Sequence, residues 1–302
     1  LAMVNQPSYN PNNRVGLKLS AVRNRALTDA YEPGSTVKPF VVGVALQSGS
    51  YGPQSTIDTN PGFIRVGNFT IRDPLNRGEI TLGEAIMHSS QVGISKLALD
   101  LNEYEVRAMF EKLGFGRDAG TGFPGESAGR LPNHRRWTDI ERAAFAYGYG
   151  LTVTPLQLAA SYLTIASGGI KRDVSLIVGA ERNDQRIYSR EVADQLKQIL
   201  ASVVTDGTAK KAAIQGYAVA GKTGTARKMG ESGYEDTRHL AFFAGMAPVD
   251  QPRLVCVVLI NEPKGESYGG GATAAPVFSR VMQNALRILN VPPKVQVKGE
   301  AA

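Results

Sequence analysis

The segment Ser35-Thr36-Val37-Lys38 sets a hydroxyl and an amine three residues apart. On a helix that spacing brings both side chains to one face. A serine hydroxyl is a weak nucleophile until a neighbouring base takes its proton, and a lysine becomes such a base when burial or nearby cations lower its pKa. The start of a helix adds a free backbone N–H for a developing oxyanion. A second candidate is Lys222-Thr223-Gly224-Thr225. On a strand, Lys222 and Gly224 face one way and Thr223 and Thr225 the other, while the bare Gly224 admits close approach to the backbone. Such a strand would hold a substrate carboxylate with hydroxyls and a charge, and lend an N–H to an oxyanion hole. The third is Ser89-Ser90-Gln91, three polar side chains between apolar, helix-forming stretches. Each motif alone has a plain structural account: an N-cap serine with a surface lysine, an exposed Thr-rich edge strand, a cap and a turn.

The elements that must position these residues are legible in part. Leu1-Ala2-Met3-Val4 reads as a strand, Asn5 to Asn13 as loop, and Glu32-Pro33-Gly34 as a break before Ser35. Val37, Val41, Val44 and Ala45 have helical spacing, so a buried helix is expected from near Ser35 to Leu46, with Pro39 tolerated in its first turn. Thr81 and Glu84 have the capping-box spacing of a helix that runs to about His88. A new helix is expected over Ile94 to Leu101, which makes Ser89 to Gln91 a corner between two helices. Further helices are expected at Tyr104 to Leu113, Asp139 to Tyr147, Pro155 to Ala166 and Arg190 to Val203. Tyr217 to Ala220 should lead as a strand into Lys222, and Leu240 to Met246 should pair with Leu254 to Ile260. A last helix is expected over Pro276 to Leu289, with Val277, Phe278, Val281, Met282, Leu286 and Leu289 on one face. The fold class is therefore mixed α/β (α+β): an antiparallel sheet sandwiched by helices, the first strand returning beside the late ones.

Composition narrows the classes of function. With 302 residues, 42% of them apolar, the chain has material for one large core or two small ones. A formal charge of +7 favours an anionic partner such as a cell-wall polymer or a lipid surface. The basic residues are scattered and do not alternate with aromatics, so no nucleic-acid partner is expected. Cys256 lies in an apolar run and reads as a small core residue, and three histidines without metal-ligand spacing predict no metal and no cofactor. No run of about 18 apolar residues exists, so nothing here is expected to span a membrane. The strand-like start without a preceding turn is read as a fragment of a longer protein.

The three motifs occur in the order S-x-x-K, S-x-amide, K-T-G, a recognised signature of β-lactamases and penicillin-binding proteins. Glu32-Pro33-Gly34-Ser35-Thr36-Val37-Lys38-Pro39, Ser89-Ser90-Gln91-Val92-Gly93-Ile94-Ser95-Lys96, Gly122-Phe123-Pro124-Gly125-Glu126, Tyr147-Gly148-Tyr149-Gly150-Leu151 and Gly221-Lys222-Thr223-Gly224-Thr225-Ala226-Arg227-Lys228 resemble the transpeptidase domain of class B penicillin-binding proteins, most closely the septal, cell-division type of Gram-negative bacteria. The resemblance runs from Leu1 to about Pro293 and leaves 294–302 as a C-terminal tail. It implies a β-lactamase/transpeptidase-like fold and a domain that lacks its first segment. It also implies a periplasmic location on an inner-membrane protein whose anchor, with a non-catalytic pedestal, would precede Leu1. Partners would be peptidoglycan stem peptides ending in D-Ala-D-Ala, β-lactam antibiotics that acylate the same serine, and membrane proteins of the division complex.

By the same resemblance Ser35 is the nucleophile, Lys38 its base, and Ser89 and Lys222 relay a proton to the leaving amine. The N–H groups of Ser35 and Thr225 would make the oxyanion hole, Thr223 and Thr225 hold the carboxylate beside Gly224, and Tyr268 form a pocket wall. Two departures stand out. Gln91 occupies the place where relatives usually have Asn, and Gly269 and Gly270 follow Tyr268 where relatives often carry another aromatic. Gln91 is expected to face the cleft, with one more methylene and more rotamer freedom than Asn. Other readings stay open. A carboxypeptidase would use water as acceptor with the same residues, and a non-catalytic β-lactam sensor or division scaffold would keep the fold alone. A Ser–His–Asp hydrolase built on His88 is disfavoured, because adjacent helical residues point about 100° apart and no Gly-x-Ser-x-Gly elbow is present. A β-lactamase would in addition need its deacylating Glu followed at the third and fourth positions by Leu-Asn, which is not found.

Overall fold

The computed structural model describes residues 1–230 and 233–294. After an irregular start come two single-turn helices, α1 (Leu19–Val22) and α2 (Arg25–Thr28). A 3₁₀ turn at Gly34–Val37 then runs into α3 (Lys38–Ser48). Strands β1 (Thr56–Asp58), β2 (Phe63–Val66), β3 (Phe69–Arg72) and β4 (Glu79–Thr81) form two small antiparallel pairs, β1 with β4 and β2 with β3. Helices α4 (Leu82–Met87), α5 (Gln91–Asp100), α6 (Glu103–Leu113), α7 (Asp139–Ala146) and α8 (Pro155–Ala166) make up the middle. The hairpin β5 (Ile170–Arg172) and β6 (Asp184–Arg186) leads to α9 (Arg190–Thr205). A three-stranded antiparallel sheet follows, of β7 (Ala220–Gly230), β8 (Gly233–Ala247) and β9 (Leu254–Asn261) with β8 central, and α10 (Gly270–Ile288) closes the fold.

The late sheet lies between helices, as expected. On one face Phe278 of α10 meets Phe243 of β8 with ring centroids 4.6 Å apart. On the other, Tyr162 of α8 donates to the Thr36 carbonyl at 2.7 Å, and Thr36 lies under Gly224 of β7. α3 runs through the centre, with every residue from Lys38 to Leu46 buried, as befits a helix that is apolar nearly all round.

Several expectations hold closely. Thr81 and Glu84 make both bonds of a capping box at α4, α8 spans Pro155 to Ala166, and Met246 pairs with Val255 while Ala241 pairs with Ile260. Others are corrected. Leu1 to Val4 forms no strand, because no described strand pairs with it and Leu1 and Val4 are exposed. The strand expected from Tyr217 begins at Ala220, since Tyr217 turns back to bridge Ile214. α10 begins six residues before Pro276, and Val277 and Val281 lie exposed while Phe278, Met282 and Leu286 take the buried face. The tail expected from residue 294 falls, from 295 onward, outside the described residues.

Candidate active site

Ser35 and Lys38 are separated by a 3₁₀ turn rather than an α-turn. In that tighter helix residues three apart eclipse, which brings the two side chains onto one line. Ser35 is half-buried, whereas Thr36, Val37 and Lys38 are fully covered. Two glycines let this turn sit where it does. A methyl group on Gly148 (φ +92°) would lie 2.1 Å from the Gly34 carbonyl oxygen, and the Gly34 N–H donates to the Gly148 carbonyl at 3.2 Å. A methyl group on Gly224 would lie 2.7 Å from Thr36 Cγ2 and 2.9 Å from the Pro33 oxygen. Gly34 itself abuts the Thr225 carbonyl. The serine turn is thus wedged between the Tyr147–Gly150 loop and β7.

Lys38 is 0% exposed, and its amine donates to the Ser89 carbonyl at 2.6 Å, the Ser89 hydroxyl at 3.2 Å and the Ser90 carbonyl at 3.2 Å. Burial, reinforced by the like charge of Lys222 and opposed by Asp73, holds this amine well below the ordinary lysine range. Ser89 reaches it from a backbone at φ +60°. That conformation costs a non-glycine residue on the order of 1–3 kcal/mol and recurs at functional sites; here it turns both the carbonyl and the hydroxyl of Ser89 to one amine.

Asp73, just after β3, keeps this corner in place. Its carboxylate accepts from the Ser90 hydroxyl at 2.5 Å, the Gln91 N–H at 2.6 Å and the Val92 N–H at 3.2 Å. The Ser90 hydroxyl in turn accepts from the Gly93 N–H at 2.8 Å. Three free N–H groups at the start of α5 are so satisfied by one serine and one anion. Asp73→Ala should lower stability by about 1–3 kcal/mol, because three donors lose their partner, and should slow acylation through the loosened Ser89. Unchanged acylation in a destabilised Asp73→Ala protein would reduce Asp73 to a helix cap.

On β7 the expected alternation is present. Lys222 is 0% exposed, and burial brings its amine down to about 7; it donates to the Thr223 carbonyl at 3.1 Å. Thr223, 8% exposed, shares a hydrogen bond with the Thr208 hydroxyl at 2.9 Å. The Thr225 hydroxyl accepts the Gly270 N–H at 3.1 Å and so keeps its own hydrogen to donate. The structure therefore gathers the Ser35 turn, Lys38, Ser89, Lys222, Gly224 and Thr225 at one place. Gln91 opens α5 half-buried, anchored by its backbone rather than its side chain. Tyr268 stands further out, 53% exposed, stacked on His239 at 3.9 Å, one residue before the Gly269 that neighbours Thr225. Asp73 and Thr208 were not legible as site residues, since neither stands in a motif, and Gly148 lies in the Tyr147–Leu151 motif without its contact to Gly34 being readable there.

Residues 1–283 match the penicillin binding protein transpeptidase domain. The chain is 43% identical over 302 residues to the peptidoglycan D,D-transpeptidase FtsI of Escherichia coli (strain K12), covering 99% of this chain and 51% of that protein. It is 39% identical over 295 residues to the probable peptidoglycan D,D-transpeptidase PbpC of Pseudomonas aeruginosa, covering 97% of this chain and 52% of that one. A solved apo structure of the TP domain of penicillin-binding protein 3 from Burkholderia pseudomallei superposes with a TM-score of 0.86 at 39% identity, covering 90% of this chain and 83% of that one. The chain spans about half the length of these curated relatives.

Proposed function

The chain belongs to the penicillin-binding protein transpeptidase domain family, and we propose that it is the catalytic domain of a peptidoglycan D,D-transpeptidase that cross-links stem peptides through an acyl-enzyme on Ser35 during septal wall synthesis. The observation that carries this reading is the buried amine of Lys38, held by the carbonyl and hydroxyl of Ser89 at the base of the turn that presents Ser35. A lysine so placed has lost the solvation that would keep it charged, which suits it to take a proton.

The neutral Lys38 amine removes the Ser35 hydroxyl proton as Oγ bonds to the carbonyl carbon of the penultimate D-Ala. The resulting oxyanion is received by the N–H groups of Ser35 and Thr225. The C–N bond to the terminal D-Ala then breaks, and its nitrogen takes up a proton relayed through Ser89 and Lys222. The amine of a second stem attacks the ester, returns the proton to the same relay and frees Ser35. Lys222, Thr223 and Thr225 hold the donor's carboxylate, with Gly224 leaving room for the Ser35 turn, and a β-lactam enters as a mimic of the D-Ala-D-Ala end. Tyr268 is assigned the outer wall. Because peptidoglycan is built outside the inner membrane, the reading places this domain in the periplasm, on a protein held at that membrane beside other division proteins.

The protonation states required make a sharp pH prediction. Lys38 must be neutral and Lys222 charged, so acylation by a penicillin should follow a bell. Its acid limb follows Lys38, held well below the ordinary lysine range, and its alkaline limb follows Lys222, near 7 in the free protein. A bound carboxylate favours the Lys222 ammonium, so the alkaline limb of the limiting rate should move to higher pH than that of the second-order rate constant. A rate flat across neutral pH would count against these roles. Gln91→Asn should change the acylation rate with the fold untouched; equal rates would make this departure from the family silent.

The function is tested by mixing the protein with a thioester donor that mimics the stem terminus and a D-amino acid acceptor. Transfer to the amine is expected. Release of the free acid alone would make the protein a carboxypeptidase, and no turnover of the donor would leave a sensor or scaffold.

A further inference from the structure

Glu32 stands three residues before Ser35, yet its carboxylate is engaged by two distant elements. Its Oε1 accepts the Gly150 N–H at 2.8 Å and the Tyr234 hydroxyl at 2.9 Å. Gly150 belongs to the loop that wedges the serine turn. Tyr234 belongs to the outer half of the β7–β8 ribbon, where its ring meets Tyr149 edge-on at 5.3 Å, and Tyr149 meets Tyr147 at 5.6 Å.

That outer half is held differently from the inner one. From Leu240 to Ala247 β8 is buried, whereas from Gly233 to His239 it is largely exposed. A register shift between Arg227 and Met229 separates the two halves, and the Arg227–Asp236 ion pair at 2.9 Å lies next to it. A bulge is where a ribbon bends, and an exposed stretch with few buried contacts takes its position from the ties it does make. The Glu32–Tyr234 bond joins this stretch to the strand-to-turn segment that carries the nucleophile. The outer ribbon and Thr225 lie on one strand, β7, and the Thr225 carbonyl abuts Gly34.

We propose that Glu32 and Tyr234 form a latch that draws the β7–β8 ribbon onto the Ser35 turn, making both of them positioning residues that set Thr225 opposite Ser35 for acylation. The inference rests on the reading of Ser35 as nucleophile. A partly buried carboxylate needs its donors, and Tyr234 supplies the one that is not local to the serine turn and its wedge. Removing it leaves Glu32 with the Gly150 N–H, so the fold survives and the ribbon, still tied to Glu262 through Lys228 and Arg238, loses its bond to the serine segment.

The test is the concentration dependence of acylation by a fluorescent penicillin, resolved into a limiting rate k2 and a dissociation constant K. Tyr234→Phe should lower k2 roughly tenfold, less than the loss attributed to a full ångström of misplacement, with K unchanged. Glu32→Ala should match it, and Glu32→Gln, which keeps an acceptor oxygen for both donors, should restore k2. The double variant Tyr234→Phe/Glu32→Ala should be no slower than Glu32→Ala, the mark of two residues acting through one bond. Wild-type k2 in Tyr234→Phe, losses that multiply in the double variant, or a change confined to K overturns the latch. Should Glu32→Ala fail to fold, Tyr234→Phe decides alone. Absence of acylation in the wild-type protein overturns the nucleophile assignment and the latch with it, whereas normal wild-type acylation with an unchanged Tyr234→Phe overturns the latch only.

Discussion

Lys38→Met is expected to slow acylation of Ser35 by about 10²–10⁴-fold, the contribution of a positioned general base, while leaving the protein folded. Met has nearly the length of Lys and fills the same buried channel, so packing along α3 is kept. Two opposing terms act on stability. Removing a buried amine spares a desolvation cost of several kcal/mol. Against this, the carbonyls of Ser89 and Ser90 and the Ser89 hydroxyl lose their shared donor, at about 1–3 kcal/mol for each acceptor left unsatisfied. The thermal midpoint should therefore move little while the rate collapses. A Lys38→Met protein that acylates at the wild-type rate would remove the base from the mechanism, and one that fails to fold would assign Lys38 a mainly structural role as the clasp of the Ser89 corner.

Gly148→Ala should be the most damaging methyl group added at any of the described glycines. Its Cβ would lie 2.1 Å from the oxygen, 2.5 Å from the carbon and 2.6 Å from the nitrogen of Gly34, all of them backbone, at a φ of +92° that alanine resists. Neither side can yield cheaply, because the Gly34 turn is held from behind by β7. The expected loss is about 3–5 kcal/mol, in the range that strain and overpacking produce, and whatever remains folded should acylate poorly, since the clash displaces the residue before Ser35. Gly120→Ala supplies the control. Its φ is +73°, but nothing lies within 4 Å of the added methyl, so only the backbone term of about 1–2 kcal/mol applies. Equal losses for the two variants, measured by thermal or denaturant unfolding, would show that the wedge is not tight.

What sequence made legible follows from range. The capping box of Thr81 and Glu84 and the bounds of α8 rest on neighbours a few residues apart, and the pairing of β8 with β9 follows from the short turn that joins two apolar runs. The motif residues were legible for the same reason, since Ser35 and Lys38 share a turn and Lys222 to Thr225 share a strand. Asp73 was not, because what matters is its position 17 residues from Ser90, delivered by the β2–β3 hairpin that was itself unread. The start of α10 was hidden by chemistry that usually ends helices. Pro276 reads as the first residue of the helix and the glycines before it as poor helix formers, yet side chains on Gly270 and Gly271 would strike the Phe242 and Thr208 carbonyls at 2.2 Å and 2.3 Å. Glycine is required there so that the helix can reach the sheet edge, and the Gly270 N–H then meets Thr225. Leu1 to Val4 failed for the opposite reason: its composition suits a strand, but a strand also needs a neighbour to bond.

In the mechanism proposed, the Ser35 hydroxyl, activated by Lys38, is the group that becomes acylated. That step is tested most directly by the intact mass of the protein after exposure to a penicillin, with the adduct located by peptide mapping. One adduct per chain is expected, equal in mass to the whole antibiotic because its ring opens without losing a fragment, carried by the peptide that contains Ser35 and absent from Ser35→Ala. No adduct on the folded protein, an adduct on another peptide, or equal labelling of Ser35→Ala would contradict it.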